Sequence, residues 1–225
     1  MRDEPVLLVH GFATSAARTW GDNGWIDLLG DAGRPVIAPD LLGHGEAPKP
    51  HAPEAYAGME GHLAAALPDR PVDAIGFSMG ARMILTLAVE DATRFSRIVV
   101  AGVGANLFRT DTSDVIGQAI EGQGDPANPV VQYFAGLATQ PGADRAALAA
   151  CIRSPRPRLD TGVLAKVTCP VLVVLGDRDF AGPADPLVEA LPDATFVPLR
   201  NVDHFATPKD FRFIDAALGF LDAHV

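Results

Sequence analysis

Six short apolar runs punctuate the chain: Val6–Val9, Pro35–Ala38, Val72–Gly76, Ile98–Ala101, Val171–Leu175 and Thr195–Leu199. Each is four or five residues, mostly β-branched or Leu, without polar alternation. Strands buried on both faces of a parallel sheet read this way. Between them, Trp25–Ala32, Tyr56–Leu67, Ala81–Ala88, Pro186–Leu191 and Phe211–Ala223 place apolar residues at three- and four-residue spacing, which predicts helices. Strand and helix in alternation imply βαβ units with right-handed crossovers. The expected class is α/β, a mostly parallel sheet of about six strands with helices on both faces.

One interval breaks the rhythm. About 65 residues separate the run ending at Ala101 from the one beginning near Pro170, far more than an ordinary crossover. Within it Asp111–Ile120 and Val130–Ala138 have helical spacing, while Gln123–Pro129 and Ser154–Pro157 have turn composition. The stretch is too short to build a core of its own. It is expected to be an insertion at about 104–161 covering one end of the sheet, within a single domain spanning 1–225.

Composition narrows the partners. The 225 residues are 48% hydrophobic and 20% charged, so a packed core is expected and a disordered chain is excluded. Lys and Arg number 18 against 28 Asp and Glu, and the net charge of −10 repels a phosphate backbone, so no nucleic-acid partner is expected. Cys151 and Cys169 form neither a disulfide framework nor a metal-ligand pattern, and no metal or cofactor is implied. The start, Met1-Arg2-Asp3-Glu4-Pro5, lacks the layout of a signal peptide. No apolar run approaches the ~18 residues of a membrane span, so a cytoplasmic protein is expected.

The sharpest chemical signal is Gly76-Phe77-Ser78-Met79-Gly80. In G-x-S-x-G the serine sits on a tight strand-to-helix turn, where glycines two residues either side permit close backbone approach. The pattern alone is a weak signal, and a plain turn is the bland alternative. The strand before it and the helix after it supply the setting a nucleophile elbow requires. A nucleophilic serine needs a base, and the base needs an orienting carboxylate. Beyond Val171–Leu175 the chain reads Gly176-Asp-Arg-Asp179, which offers Asp179 as orienter and Asp177 as the lesser candidate. Beyond Thr195–Leu199 comes His204, at the carboxyl end of the last strand, as the base. Backbone amides of Met79, at a helix N-terminus, and of Phe12, in Val9-His10-Gly11-Phe12, would form the oxyanion hole. For His10 the expected task is bracing that loop.

With His10-Gly11-Phe12, Gly76–Gly80, Gly176–Asp179 and His204-Phe205 in this order, the chain resembles the α/β-hydrolase fold family over nearly its whole length. Asp40-Leu-Leu-Gly-His44-Gly45 is similar to that family's D-x-x-G-x-G loop. The resemblance implies a triad of Ser78, His204 and Asp179, oxyanion amides at Phe12 and Met79, and a helical cap. It departs in starting at the oxyanion strand, without the usual first two strands. A serine at 78 argues against the dehalogenase and epoxide hydrolase branches, which use a carboxylate nucleophile. The leading expectation is a carboxylic ester hydrolase for a small-molecule ester. The expected pocket comprises Phe12, Trp20, Trp25, Met79 and Phe205 with Leu107, Phe108, Tyr133 and Phe134 from the insertion, and its apolar character favours an uncharged acyl group.

Arg82, four residues after Ser78, supports a second reading. Ser78-Met-Gly-Ala-Arg82 resembles the menaquinone-pathway synthases of the family, in which such an arginine would clamp a substrate carboxylate, and carbon-carbon hydrolysis is equally feasible. The plainer expectation for Arg82 is a salt bridge, with Asp40 as partner. A third reading is a ligand receptor with residual hydrolase activity.

Overall fold

Val6–Val9 form strand β1 with all four side chains buried, as the unbroken apolar run requires. The computed structural model describes residues 4–109, 113–125 and 127–223. The further strands are β2 (Val36–Ile37), β3 (Val72–Phe77), β4 (Phe95–Ala101), β5 (Val171–Gly176) and β6 (Ala194–Leu199). All pair in parallel in the order β2-β1-β3-β4-β5-β6. The six-stranded α/β sheet is therefore as expected, although β2 is only two residues long and β4 starts three residues earlier than its apolar run.

The helices between the strands are α1 (Trp25–Asp31), α2 (Met59–Ala65), α3 (Met79–Glu90), α8 (Asp185–Ala190) and α9 (Phe211–Phe220). Successive strand residues face opposite sides, so the core divides into two layers. Leu7, Val9, Ala74, Val100 and Val173 pack with α2, α3 and Leu187 of α8. Val6, Leu8, Ile75, Val99, Leu172 and Val174 pack with α1 and α9. Trp20 and Trp25 belong to this second layer and are fully buried. They meet edge to face at 5.4 Å, Trp25 contacts Phe213 at 4.7 Å, and the Trp25 indole N–H donates to the Pro208 carbonyl at 2.7 Å. The two tryptophans therefore belong to the packed core and not to the lining of the cavity at Ser78, contrary to expectation.

Between β4 and β5 lie α4 (Ser113–Ile120), α5 (Pro129–Leu137), α6 (Arg145–Arg153) and the single turn α7 (Thr161–Leu164). Residues 110–112, where the first of these was expected to begin, and Pro126 in the expected turn lie outside the described residues. Helix α6 was not anticipated, yet its start is encoded locally, because the Asp144 carboxylate accepts from the Ala147 N–H at 3.0 Å. The segment also has a small apolar cluster, Ile120, Ala138, Leu148 and Ala149, closed by Ala13 from the loop after β1. Among the described residues, no helix is long and apolar enough to cross a membrane.

From β1 the chain steps outward to β2, then returns past β1 to β3 and continues to β6. The carboxyl ends of β1 and β3 thus flank the reversal of strand order, where open α/β sheets form a crevice. The loops after β1, β3, β5 and β6 all open at this end.

Candidate active site

Ser78 follows β3 immediately and precedes α3, with φ +55° and ψ −112°. A non-glycine residue with this backbone is strained, and such strain needs over-determined surroundings. The flanking glycines supply them. A Cβ on Gly76 would lie 2.6 Å from the Ala81 Cα, and one on Gly80 would lie 2.2 Å from the Val9 carbonyl oxygen. The Ser78 N–H donates to the Ala101 carbonyl at 2.8 Å, tying the turn to β4. The spacing of the pentapeptide is therefore a packing requirement here.

Ser78 Oγ lies 3.0 Å from His204 Nε2. His204 Nδ1 in turn lies 2.9 and 3.0 Å from the two Asp179 oxygens. An ionised carboxylate can only accept, so Nδ1 carries the proton and Nε2 presents its lone pair to the serine. Asp179 and His204 are both buried. Asp179 is held by the Ala181 N–H, which donates to Oδ1 at 2.8 Å. Asp177 instead accepts from the Asn201 N–H at 2.7 Å and stays in the turn, consistent with its place as the lesser candidate. The imidazole of His204 is clasped between Phe77 and Phe180, with ring centroids at 4.8 and 4.3 Å. Phe180 was not anticipated, although it directly follows Asp179 and is 53% exposed at the mouth of the site.

The loop after β1 reaches the elbow directly. A Cβ on Gly11 would lie 3.0 Å from the Phe77 ring and 3.5 Å from Ser78 Cβ. Among the described residues, neither the Phe12 nor the Met79 N–H donates to a protein acceptor. His10 is fully buried and bonds at both nitrogens, to the Gly11 carbonyl at 2.7 Å and to the Leu41 N–H at 3.0 Å. Burial lowers its pKa, against the smaller raising effects of the Gly11 carbonyl and Asp40. The loop after β2 braces this region. Asp40 accepts from the Ala16 and Glu46 N–H groups, each at 2.8 Å.

Arg82 does not pair with Asp40, whose oxygens serve those backbone amides; its guanidinium donates to the Pro157 carbonyl at 2.6 Å. It lines a cavity of about 880 Å³ above Ser78 and His204. Phe12, Met79, Leu107, Phe108, Tyr133, Phe134 and Phe205 also line it. Tyr133 of α5 stacks on Phe205 at 4.1 Å, joining the β4–β5 segment to the loop that carries His204. Burial raises the Tyr133 hydroxyl above its ordinary range, so it is a neutral donor.

The wall is less apolar than its aromatic residues suggested. Among the described residues, Arg18, Arg109, Arg156 and Arg158 join Arg82 in lining the cavity, against one acid, Asp160. Arg156 is half-buried and donates to the Cys151 carbonyl at 3.3 Å, with Met79 Sδ at 3.5 Å. Among the described residues, no carboxylate pairs with Arg156 or Arg158. These arginines sit on the β4–β5 segment after α6, where no short motif marks them. Among the described residues, no group of three or more His, Cys, Asp or Glu is placed to hold a metal ion.

Residues 6–216 match the profile of the Alpha/beta hydrolase family. The 2-hydroxy-6-oxo-2,4-heptadienoate hydrolase of Pseudomonas putida is 33% identical over 141 residues, which cover 58% of this chain and 49% of that enzyme. The matched stretch is thus about half the length of that relative. Among solved structures, MenH from S. aureus superposes with a TM-score of 0.74 at 19% identity, over 99% of this chain and 95% of that one. A thermophilic esterase from Thermogutta terrifontis superposes with a TM-score of 0.69 at 22% identity, over 99% and 91%. At such identities the structural likeness speaks for the fold alone.

Proposed function

The chain belongs to the alpha/beta hydrolase family, and from that premise we propose that it is a serine hydrolase of carboxylic esters working through an acyl-enzyme. The observation that carries this reading is the continuous contact from Ser78 Oγ through His204 to Asp179. Ser78 attacks the ester carbonyl while His204 Nε2 takes its proton. Negative charge develops on the carbonyl oxygen and is met by the amides of Phe12 and Met79, each worth ~2.7–4 kcal/mol of transition-state stabilisation. Collapse of the intermediate expels the alcohol, which receives the proton from His204. Water, deprotonated by the same imidazole, then releases the acid and restores Ser78. Asp179 stays ionised throughout and stabilises the imidazolium. The segment between β4 and β5 serves as the cap over the cavity, and the buried free Cys151 and Cys169 favour a cytoplasmic setting.

Labelling with a fluorophosphonate probe, read by intact mass, tests the reading. Wild type is expected to gain one adduct and to hydrolyse short-chain aryl esters, and Ser78→Ala is expected to do neither. A wild type without adduct would remove the activated serine and with it the proposal.

The arginine-lined wall favours a second reading, in which the substrate carries a carboxylate and the same triad serves carbon-carbon cleavage or an elimination. The names of the Pseudomonas putida relative and of MenH are compatible with it. Arg82 and Arg156 are the clamp candidates.

A further inference from the structure

We propose that His10 is the positioning residue of the oxyanion hole, its imidazole locking the Gly11–Phe12 peptide so that the Phe12 N–H faces the reacting carbonyl. The inference rests on the reading of Phe12 as an oxyanion donor. It begins with the two bonds of the imidazole. The Leu41 N–H is a donor only, so Nε2, 3.0 Å away, carries a lone pair. The Gly11 carbonyl is an acceptor only, so Nδ1, 2.7 Å away, carries the hydrogen. Together the two bonds specify one neutral tautomer of a fully buried ring. A second proton would have to sit on Nε2 and face the Leu41 N–H.

The consequence passes through peptide geometry. In a trans peptide the C=O of one residue and the N–H of the next point in opposite directions in one plane. Holding the Gly11 oxygen toward His10 therefore holds the Phe12 N–H away from it. Glycine at 11 suits this close approach, since a Cβ there would lie 3.0 Å from the Phe77 ring, which would have to give by a few tenths of an ångström. Glycine also leaves that peptide with little intrinsic preference for one orientation. If it turned over, a carbonyl oxygen would point where the oxyanion forms, replacing attraction by repulsion. The imidazole removes this freedom, and its second bond anchors it to Leu41, next to Asp40, which is fixed by two backbone amides.

Two replacements divide the function of the ring. In His10→Asn the side-chain amide nitrogen reaches the position of Nδ1 and can still donate to the Gly11 carbonyl. In His10→Gln the longer amide reaches the position of Nε2, where it can accept from Leu41 but leaves the Gly11 carbonyl unheld. With wild-type turnover of p-nitrophenyl butyrate established first, His10→Gln is expected to lose about 10²–10³-fold in kcat, the loss attached to one oxyanion donor. Its KM should stay within about threefold, and His10→Asn should recover most of kcat. Equal losses in the two variants, or wild-type kcat in His10→Gln, would overturn the proposal. If neither variant folds, ¹⁵N NMR of histidine-labelled wild type decides: an Nδ1–H tautomer of His10 supports it, and an Nε2–H tautomer refutes it. A wild type that neither turns over nor labels at Ser78 would instead sink the hydrolase reading, leaving the tautomer to be read separately.

Discussion

Asp73 is fully buried at the start of β3, between two arginines. Its Oδ2 accepts from Arg34 Nη2 at 2.6 Å and from Arg97 Nη2 at 3.0 Å, and its Oδ1 accepts from Arg97 Nε at 3.2 Å. Both guanidiniums continue to the chain ends: Arg34 to the carbonyls of Glu4 and Leu221, Arg97 to those of Phe220 and Leu221. Asp73→Asn keeps the shape but leaves Arg34 facing a neutral amide away from water, while Arg97 keeps only the exposed Asp222 carboxylate at 2.9 Å. Breaking a buried pair in this way costs about 3–5 kcal/mol. For a chain of this size, each kcal/mol lowers Tm by roughly 2–4 °C, so a fall of about 6–20 °C is expected. At ~3.3 Å per residue the site is about 16 Å from Ser78, so kcat measured well below Tm should be unchanged. Thermal and urea unfolding at neutral pH provide the assay. A fall of less than about 2 °C would refute the claim that Asp73 is the counter-charge of this network. Replacing all three residues by Arg34→Met, Asp73→Leu and Arg97→Met should recover only part of the loss, because the Glu4, Phe220 and Leu221 carbonyls lose their donors.

Burial above all, then His10, holds the pKa of His44 at about 3 against an ordinary 6.5. The unfolded chain therefore takes up a proton that the folded chain refuses: the stability this confers is complete above 6.5 and is lost as pH falls toward 3, about 2 kcal/mol by about pH 5. His44→Gln should remove that difference between urea titrations at the two pH values, and an unchanged slope would show that His44 is not the titrating group. Arg156, whose guanidinium faces Met79 and pairs with no carboxylate among the described residues, should favour an ester bearing a remote carboxylate over its neutral isostere. Arg156→Gln is expected to lower that kcat/KM ratio about tenfold or more, and an unaltered ratio would remove the clamp.

The fold was legible where one interaction dominates. Val6–Val9 and Val171–Leu175 are buried on both faces, so uninterrupted apolar runs suffice to mark them. The edge strand β6 is half exposed and not buried on both faces, yet its apolar run Thr195–Leu199 still located it. Helix α6 was missed because its periodicity is carried by alanines, and only the Asp144 cap marks its start. Trp20 and Trp25 were misplaced for a related reason: lying near the oxyanion loop in sequence does not tell which face of the sheet a side chain enters. Gly24, at φ +77°, turns the chain into α1, which begins with Trp25, while Trp20 lies in the helical turn before it.

The site shows the same division more sharply. Ser78, Asp179 and His204 each sit at the carboxyl end of a strand, so strand assignment alone brought them to one crevice, and sheet order did the rest. Three arginines of the wall, Arg109, Arg156 and Arg158, lie in the segment where strand logic ends, and composition pointed away from them. A net charge of −10 describes the whole surface and governs what the molecule attracts from a distance. The cavity is governed by the few charges whose field passes through its low-dielectric wall, among the described residues five arginines against one aspartate. An acidic protein can therefore hold an electropositive site, and the apolar pocket read from Phe12, Phe134 and Phe205 is only half of it. The other half is the arginines, Arg18 and Arg82 from the sheet side and Arg109, Arg156 and Arg158 from the β4–β5 segment.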